Sequence, residues 1–150
     1  MKYLIDITLI KAQVFINIIS GLAFRSILKS FKINPGLRLV SVLLFCISYS
    51  LFNFWPWYNH TVIVFELIGI SFLLKFILGV NTPIIRLVYL ILSTFFLFAS
   101  FFTKQDGGGL AFMLAFCMVV YHAIIDKKLV DVGWFLVSFA AIALLFILPL

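Results

Sequence analysis

The stretch TVIVFELIGISFLLKFILGV, Thr61 to Val80, carries only two charges, Glu66 and Lys75. A helix needs about 20 mostly apolar residues to cross the hydrocarbon core of a bilayer, and this one has them. The rest of the chain repeats the pattern. Of its 150 residues 65% are hydrophobic and 11% charged, with a mean hydropathy of +1.28. A soluble domain carries about 25% charged residues, and a fold of this size could not hide so much apolar surface from water. Lipid is therefore the solvent, and the fold class is an all-α, polytopic membrane helix bundle.

Working outward from Thr61–Val80 (61–80), four further spans are expected at 39–57, 84–103, 110–125 and 134–150, in a single integral-membrane unit covering 1–150. The connections are short. Tyr58 to His60 would make 39–57 and 61–80 antiparallel neighbours. Pro83 suits a helix start. Lys104 to Gly109, "KQDGGG", reads as a flexible turn, and Asp126 to Gly133 joins the last two spans.

Lys and Arg collect in cytoplasmic loops. Placing the basic loop 25–38 in the cytoplasm puts Arg25, Lys29, Lys32, Arg38, Arg86, Lys127 and Lys128 inside, and leaves Lys104 outside. Trp55, Trp57 and Tyr58 then mark the outer interface, and Tyr89 and Trp134 the inner one. Residues 1–24 read two ways. At 100° per residue Lys2, Asp6, Gln13, Asn17 and Ser20 share one face. The segment is an interfacial amphipathic helix or a sixth membrane helix with that face against the bundle; the interfacial or partly inserted form is the expected one. Asp6 and the lack of an A-x-A site argue against a cleavable signal peptide.

An ionised side chain at mid-bilayer costs about 2.5–3.5 kcal/mol on insertion scales, so Glu66 is expected to face a partner inside the bundle. Cys46, Tyr49, Ser50 and Asn53 fall on one face of the preceding span. Asn53 should sit at the depth of Glu66, giving an intramembrane polar site of Glu66, Asn53, Ser50, Tyr49 and Cys46. Lys75 lies half a turn away from Glu66. Its long stem can snorkel to the inner interface, or it pairs with Asp126. Lys75, His122 and Asp126 are thus a second, inner-side polar cluster.

Several chemistries lack their residues. The cations lie between apolar runs rather than on a hydrophilic face, so nucleic acid is not an expected partner. Cys46 and Cys117 form no CxxC. "DGGG" has no Lys-Ser/Thr after it and is no P-loop. "NHT", Asn59 to Thr61, matches a glycosylation pattern but lies too near the membrane. His122 has no companions for a metal. No HExxH, Ser-His-Asp or paired-carboxylate set is present, no catalytic residue can be named, and the residues point to no cofactor. The nineteen Phe read as lipid-facing filler.

FELIGISFLLKFILGVNTPIIRLVYLIL (65–92) resembles the DoxX/MauE-like group of small four-helix membrane proteins. Glu66 and Gly69 open a helix, Gly79 precedes a short turn, and Arg86 begins the next helix, as in that group. LRLVSVLLFCISYSLFNF (37–54), with Arg38 at its start, is similar to the group's first helix. The chain departs in its short first loop, its fifth span and its long N-terminal segment. The resemblance implies an accessory subunit of a redox-associated or respiratory membrane complex. Small size, short loops and the lack of a catalytic set suit the same general reading: a small bacterial inner-membrane protein whose partners are the lipid bilayer and a membrane protein or a second copy of itself. Two alternatives stay open. One is a proton-linked transporter using Glu66; the other is a bacteriocin-immunity-type protective protein.

Overall fold

The structure is a computed structural model that describes residues 2–52, 58–79 and 82–148, with side chains at 10–48, 60–79 and 82–148. Among these residues the chain forms α1 (Lys2–Ser30), α2 (Pro35–Phe52), α3 (Tyr58–Leu78), α4 (Pro83–Thr103), α5 (Gln105–Ile125) and α6 (Val130–Ile147). Among the described residues, five stretches are long and apolar enough to cross a membrane: Ile10–Ser30, His60–Leu78, Pro83–Thr103, Gln105–Ile125 and Val130–Ile147. The part of α2 from Pro35 to Ser48 is a shorter apolar helix. The protein is a multi-pass integral membrane protein with an all-α bundle fold.

Helix ends follow local chemistry. Asn34 caps α2, its Oδ1 accepting the Gly36 N–H at 2.9 Å with Pro35 at the first helical position, which starts the helix earlier than residue 39. Pro83 likewise opens α4 after the extended Thr82. α1 and α5 end in the same paired motif. In α1 the Lys32 N–H donates to the Lys29 carbonyl and the Ile33 N–H to the Leu28 carbonyl; in α5 Lys127 donates to Ile124 and Lys128 to Ala123. The left-handed position of each is held by a lysine, Lys32 (φ 57) and Lys127 (φ 55), where glycine is easier.

α3 and α4 share the largest interface. Gly69 allows it: a Cβ there would lie 2.9 Å from Leu97 Cγ and 3.3 Å from the Leu97 backbone nitrogen. α5 presents a small-residue stripe, Gly108, Ala111, Ala115, Val119 and Ala123, all buried. Small residues let helix backbones approach where lipid supplies no hydrophobic drive between helices. Leu73, Phe76, Leu90, Leu97 and Phe135 fill the centre against this stripe. Not all the Phe are filler: Phe98 (4% exposed) packs against Phe139 and Phe146 of α6, with ring centroids 5.4 and 5.2 Å away.

The "DGGG" segment is helical, not a flexible turn. α5 begins at Gln105, and the joint to α4 is Lys104 alone, in an extended conformation. So sharp a reversal presses the two helices together. A Cβ on Gly108 would run into the backbone nitrogen and Cα of Phe101. The glycines serve contact between helices here, which is why a coil reading of them fails.

From residue 10 onward α1 turns its polar side chains inward, while Lys2 and Asp6 lie outside the residues whose side chains are described. Ser20 is fully buried and Asn17 bonds to α2, whereas Ile10, Val14, Ile18 and Leu22 are exposed. An interfacial helix shows its polar side to water. This one has the opposite polarity and lies between α2 and α3, packing on both, the arrangement of a membrane helix against a bundle.

Candidate intramembrane polar site

Glu66, a little way into α3, is held from the far side of the expected partner. Ser100 Oγ of α4, fully buried, donates to Glu66 Oε1 at 3.3 Å. α5 closes over the carboxyl group: a Cβ on Gly107 would lie 3.5 Å from Glu66 Oε1 and 3.3 Å from Val62 Cγ1. The site therefore sits where three helices meet, with the backbone of α5 at Gly107 close against α3. A buried acceptor without a partner costs about 1–3 kcal/mol, and the Ser100 hydroxyl answers that cost for one oxygen. His60, 3% exposed, is buried near the start of the same helix.

Of the partner stripe expected on 39–57, Cys46 is the member whose side chain is described. It faces α1 rather than Glu66: its carbonyl accepts from Asn17 Nδ2 at 3.3 Å, and its Sγ would lie 2.8 Å from a Cβ on Gly21. Phe24 and Phe45 stack alongside at 4.8 Å. Tyr49, Ser50 and Asn53 lie outside the residues whose side chains are described. Cys46 meets α1 because α1 packs against both α2 and α3.

The inner-side cluster is divided. Lys75 Nζ lies over the Phe72 ring at 4.9 Å and the Tyr89 ring at 5.7 Å, on the α1 side of α3. His122 and Asp126 belong to the α5 side, where His122 Nε2 is 3.8 Å from Asp126 Oδ2 and Lys128 Nζ is 3.7 Å from the same oxygen. The His122 ring meets the Phe76 ring edge-on. Leu74 and Leu78 stand between the two sets. Among the described residues, no three metal-ligating side chains converge.

One ion pair was not anticipated. Arg86 Nη2 donates to Asp131 Oδ2 at 3.0 Å, tying α4 to α6, while its guanidinium covers the Phe76 ring at 4.9 Å. Arg86 carries a topology signal in the sequence, and Asp131 carries none. Their meeting required knowing that α4 and α6 run parallel. Nothing among known family models, curated proteins or solved structures matches this chain.

Proposed function

We propose that the protein is an accessory, partner-binding subunit of a membrane complex, seated in a bacterial inner membrane with the loop 25–38 in the cytoplasm. The observation that carries this reading is the state of α2. Among the described residues it packs against α1 alone, and Leu37, Leu39, Val40, Leu43, Leu44 and Ile47 all remain exposed. A second helix set beside it would bury that flank. Glu66 meanwhile is engaged by Ser100 and overlain by Gly107, a use of a carboxyl group that joins helices. The sidedness is supported by the helix directions, which bring Lys29, Lys32, Arg86, Lys127 and Lys128 to one end, as positive-inside charge would have it. The DoxX/MauE-like pattern at Glu66, Gly69, Gly79 and Arg86 points to a redox-associated complex as the setting.

A photocrosslinking residue at Leu44 of α2, compared with one at Leu145 of α6, tests the reading in native membranes. The expected result is a discrete adduct from Leu44 only, to one protein that also retains this chain when purified from its own side. An adduct of twice the chain mass identifies a homo-oligomer. Lipid adducts alone at both positions would end the proposal. Glu66→Gln separates the carrier alternative: loss of proton flux from reconstituted vesicles, with the bundle still folded, would favour a transporter.

A further inference from the structure

The ends of α1 and α3 frame a cavity of about 350 Å³. Its walls bring together Lys29, Lys32 and Lys75 with the hydroxyl-bearing Ser26, Ser30 and Tyr89, and among the described residues no acidic side chain lines it. Lys29 and Lys75 belong to different helices and line the same wall. Lys32 reaches the cavity from a left-handed backbone position. Clustered cations in a concave wall focus a field that attracts an anion.

Leu74 and Leu78 line this cavity and also a second space on their other flank. That space is an apolar groove of about 290 Å³ between α1, α3 and α5, walled by Phe31, Ile77, Met118 and Ile125. A charged recess and a hydrocarbon groove thus adjoin across two leucines at the boundary of the membrane. A free phosphate would use only the first. A phospholipid fits both, and basic pockets between membrane helices bind anionic head groups.

We infer that this end of the protein binds one anionic glycerophospholipid. Its phosphate lies among Lys29, Lys32 and Lys75, lysine acting as a point charge toward phosphate, and an acyl chain lies in the groove. The inference is independent of the partner proposed above.

Native mass spectrometry of the full chain in mild detergent tests it, with phosphatidylglycerol, phosphatidylcholine, deacylated glycerophosphoglycerol and inorganic phosphate as probes. Phosphatidylglycerol should be retained in preference to phosphatidylcholine. Each lysine near an anionic surface contributes about fivefold, so Lys29→Gln with Lys32→Gln should weaken retention about 25-fold. Both residues are exposed, so the double variant should keep its thermal transition, and Lys127→Gln with Lys128→Gln should bind as the parent does. Equal retention of the two lipids, or equal loss in the Lys127/Lys128 variant, would overturn the inference. So would displacement of the lipid by an equal concentration of inorganic phosphate or glycerophosphoglycerol, since the occupant would then be a free anion.

Discussion

The two ends of the bundle are held by different means. At the Glu66 end backbones touch: α4 turns into α5 through Lys104 alone, Gly108 meets the Phe101 backbone, and Gly107 meets α3. At the Lys75 end charges do the joining, Arg86 to Asp131 across α4 and α6, and cations line an open cavity. The contrast follows from the connections. The one-residue joint at Lys104 forces α4 and α5 into contact, where close packing favours glycine and serine. The joints 31–34, 79–82 and 126–129 at the other end are each four residues long, and charged side chains fit between the helices there.

The comparison is broken most sharply at Gly108. Gly108→Ala forces a methyl group into the Phe101 backbone, and overpacking of this kind costs about 3 kcal/mol or more. Gly109→Ala is the control. Its Cβ would meet only the Phe101 ring at 3.9 Å, and the helix propensity of alanine should make it neutral or stabilising by up to about 1 kcal/mol. Unfolding titrations followed by circular dichroism should separate the two by several kcal/mol. Equal effects would mean that close approach is not what secures this end.

At the other end, Arg86→Gln leaves Asp131 largely buried without its partner. The side chains are 23% and 16% exposed, and stranding one member of a buried pair costs about 3 kcal/mol. The discount for partial exposure brings this to roughly 2 kcal/mol. Adding Asp131→Asn should restore part of the loss, and a double-mutant cycle should return a coupling of about 1–2 kcal/mol. A coupling near zero would assign the joint between α4 and α6 to the Phe98, Phe139 and Phe146 rings instead.

What could be read from the residues depended on which force decided each feature. Apolar run length is a local property, so 61–80 and 84–103 lie close to α3 and α4. Glu66 could be singled out because a lone charge in hydrocarbon is costly wherever it falls. Its partner could not, because Ser100 is one of many serines and its selection depends on α4 and α5 closing over α3. The glycines of 107–109 misled for a related reason: a flexible turn and a close helix crossing use the same residue, and only the position of Phe101 distinguishes them. Polarity on 1–24 was legible as a face, while the direction of that face awaited its neighbours, Cys46 among them.

The Glu66 bond itself should prove modest. Polar bonds between membrane helices average about 0.6 kcal/mol, and this one is long at 3.3 Å. Ser100→Ala should therefore destabilise by about 1 kcal/mol once the exposed acceptor is included. Glu66→Gln should do less, because the amide oxygen still accepts from Ser100. A loss above about 3 kcal/mol for Glu66→Gln would point to a buried charge partner, and the Glu66 end would no longer contrast with the other in kind.

The smallest effect sharpens the contrast from within the Lys75 end. Lys32 and Lys127 occupy equivalent left-handed positions, yet only Lys32 lines the basic cavity. Glycine relieves about 1 kcal/mol of backbone strain at such a position but returns part of it as entropy to the unfolded chain. Lys32→Gly and Lys127→Gly should thus each stabilise by about 0.5 kcal/mol, measured in the same titration. If lysine at 32 serves the cavity, the two variants part in a second measurement: Lys32→Gly should lower phosphatidylglycerol retention about fivefold, and Lys127→Gly should not. A strained lysine whose removal improves stability and impairs lipid retention is there for the lipid; equal retention in both variants would leave Lys32 no more than a helix terminus.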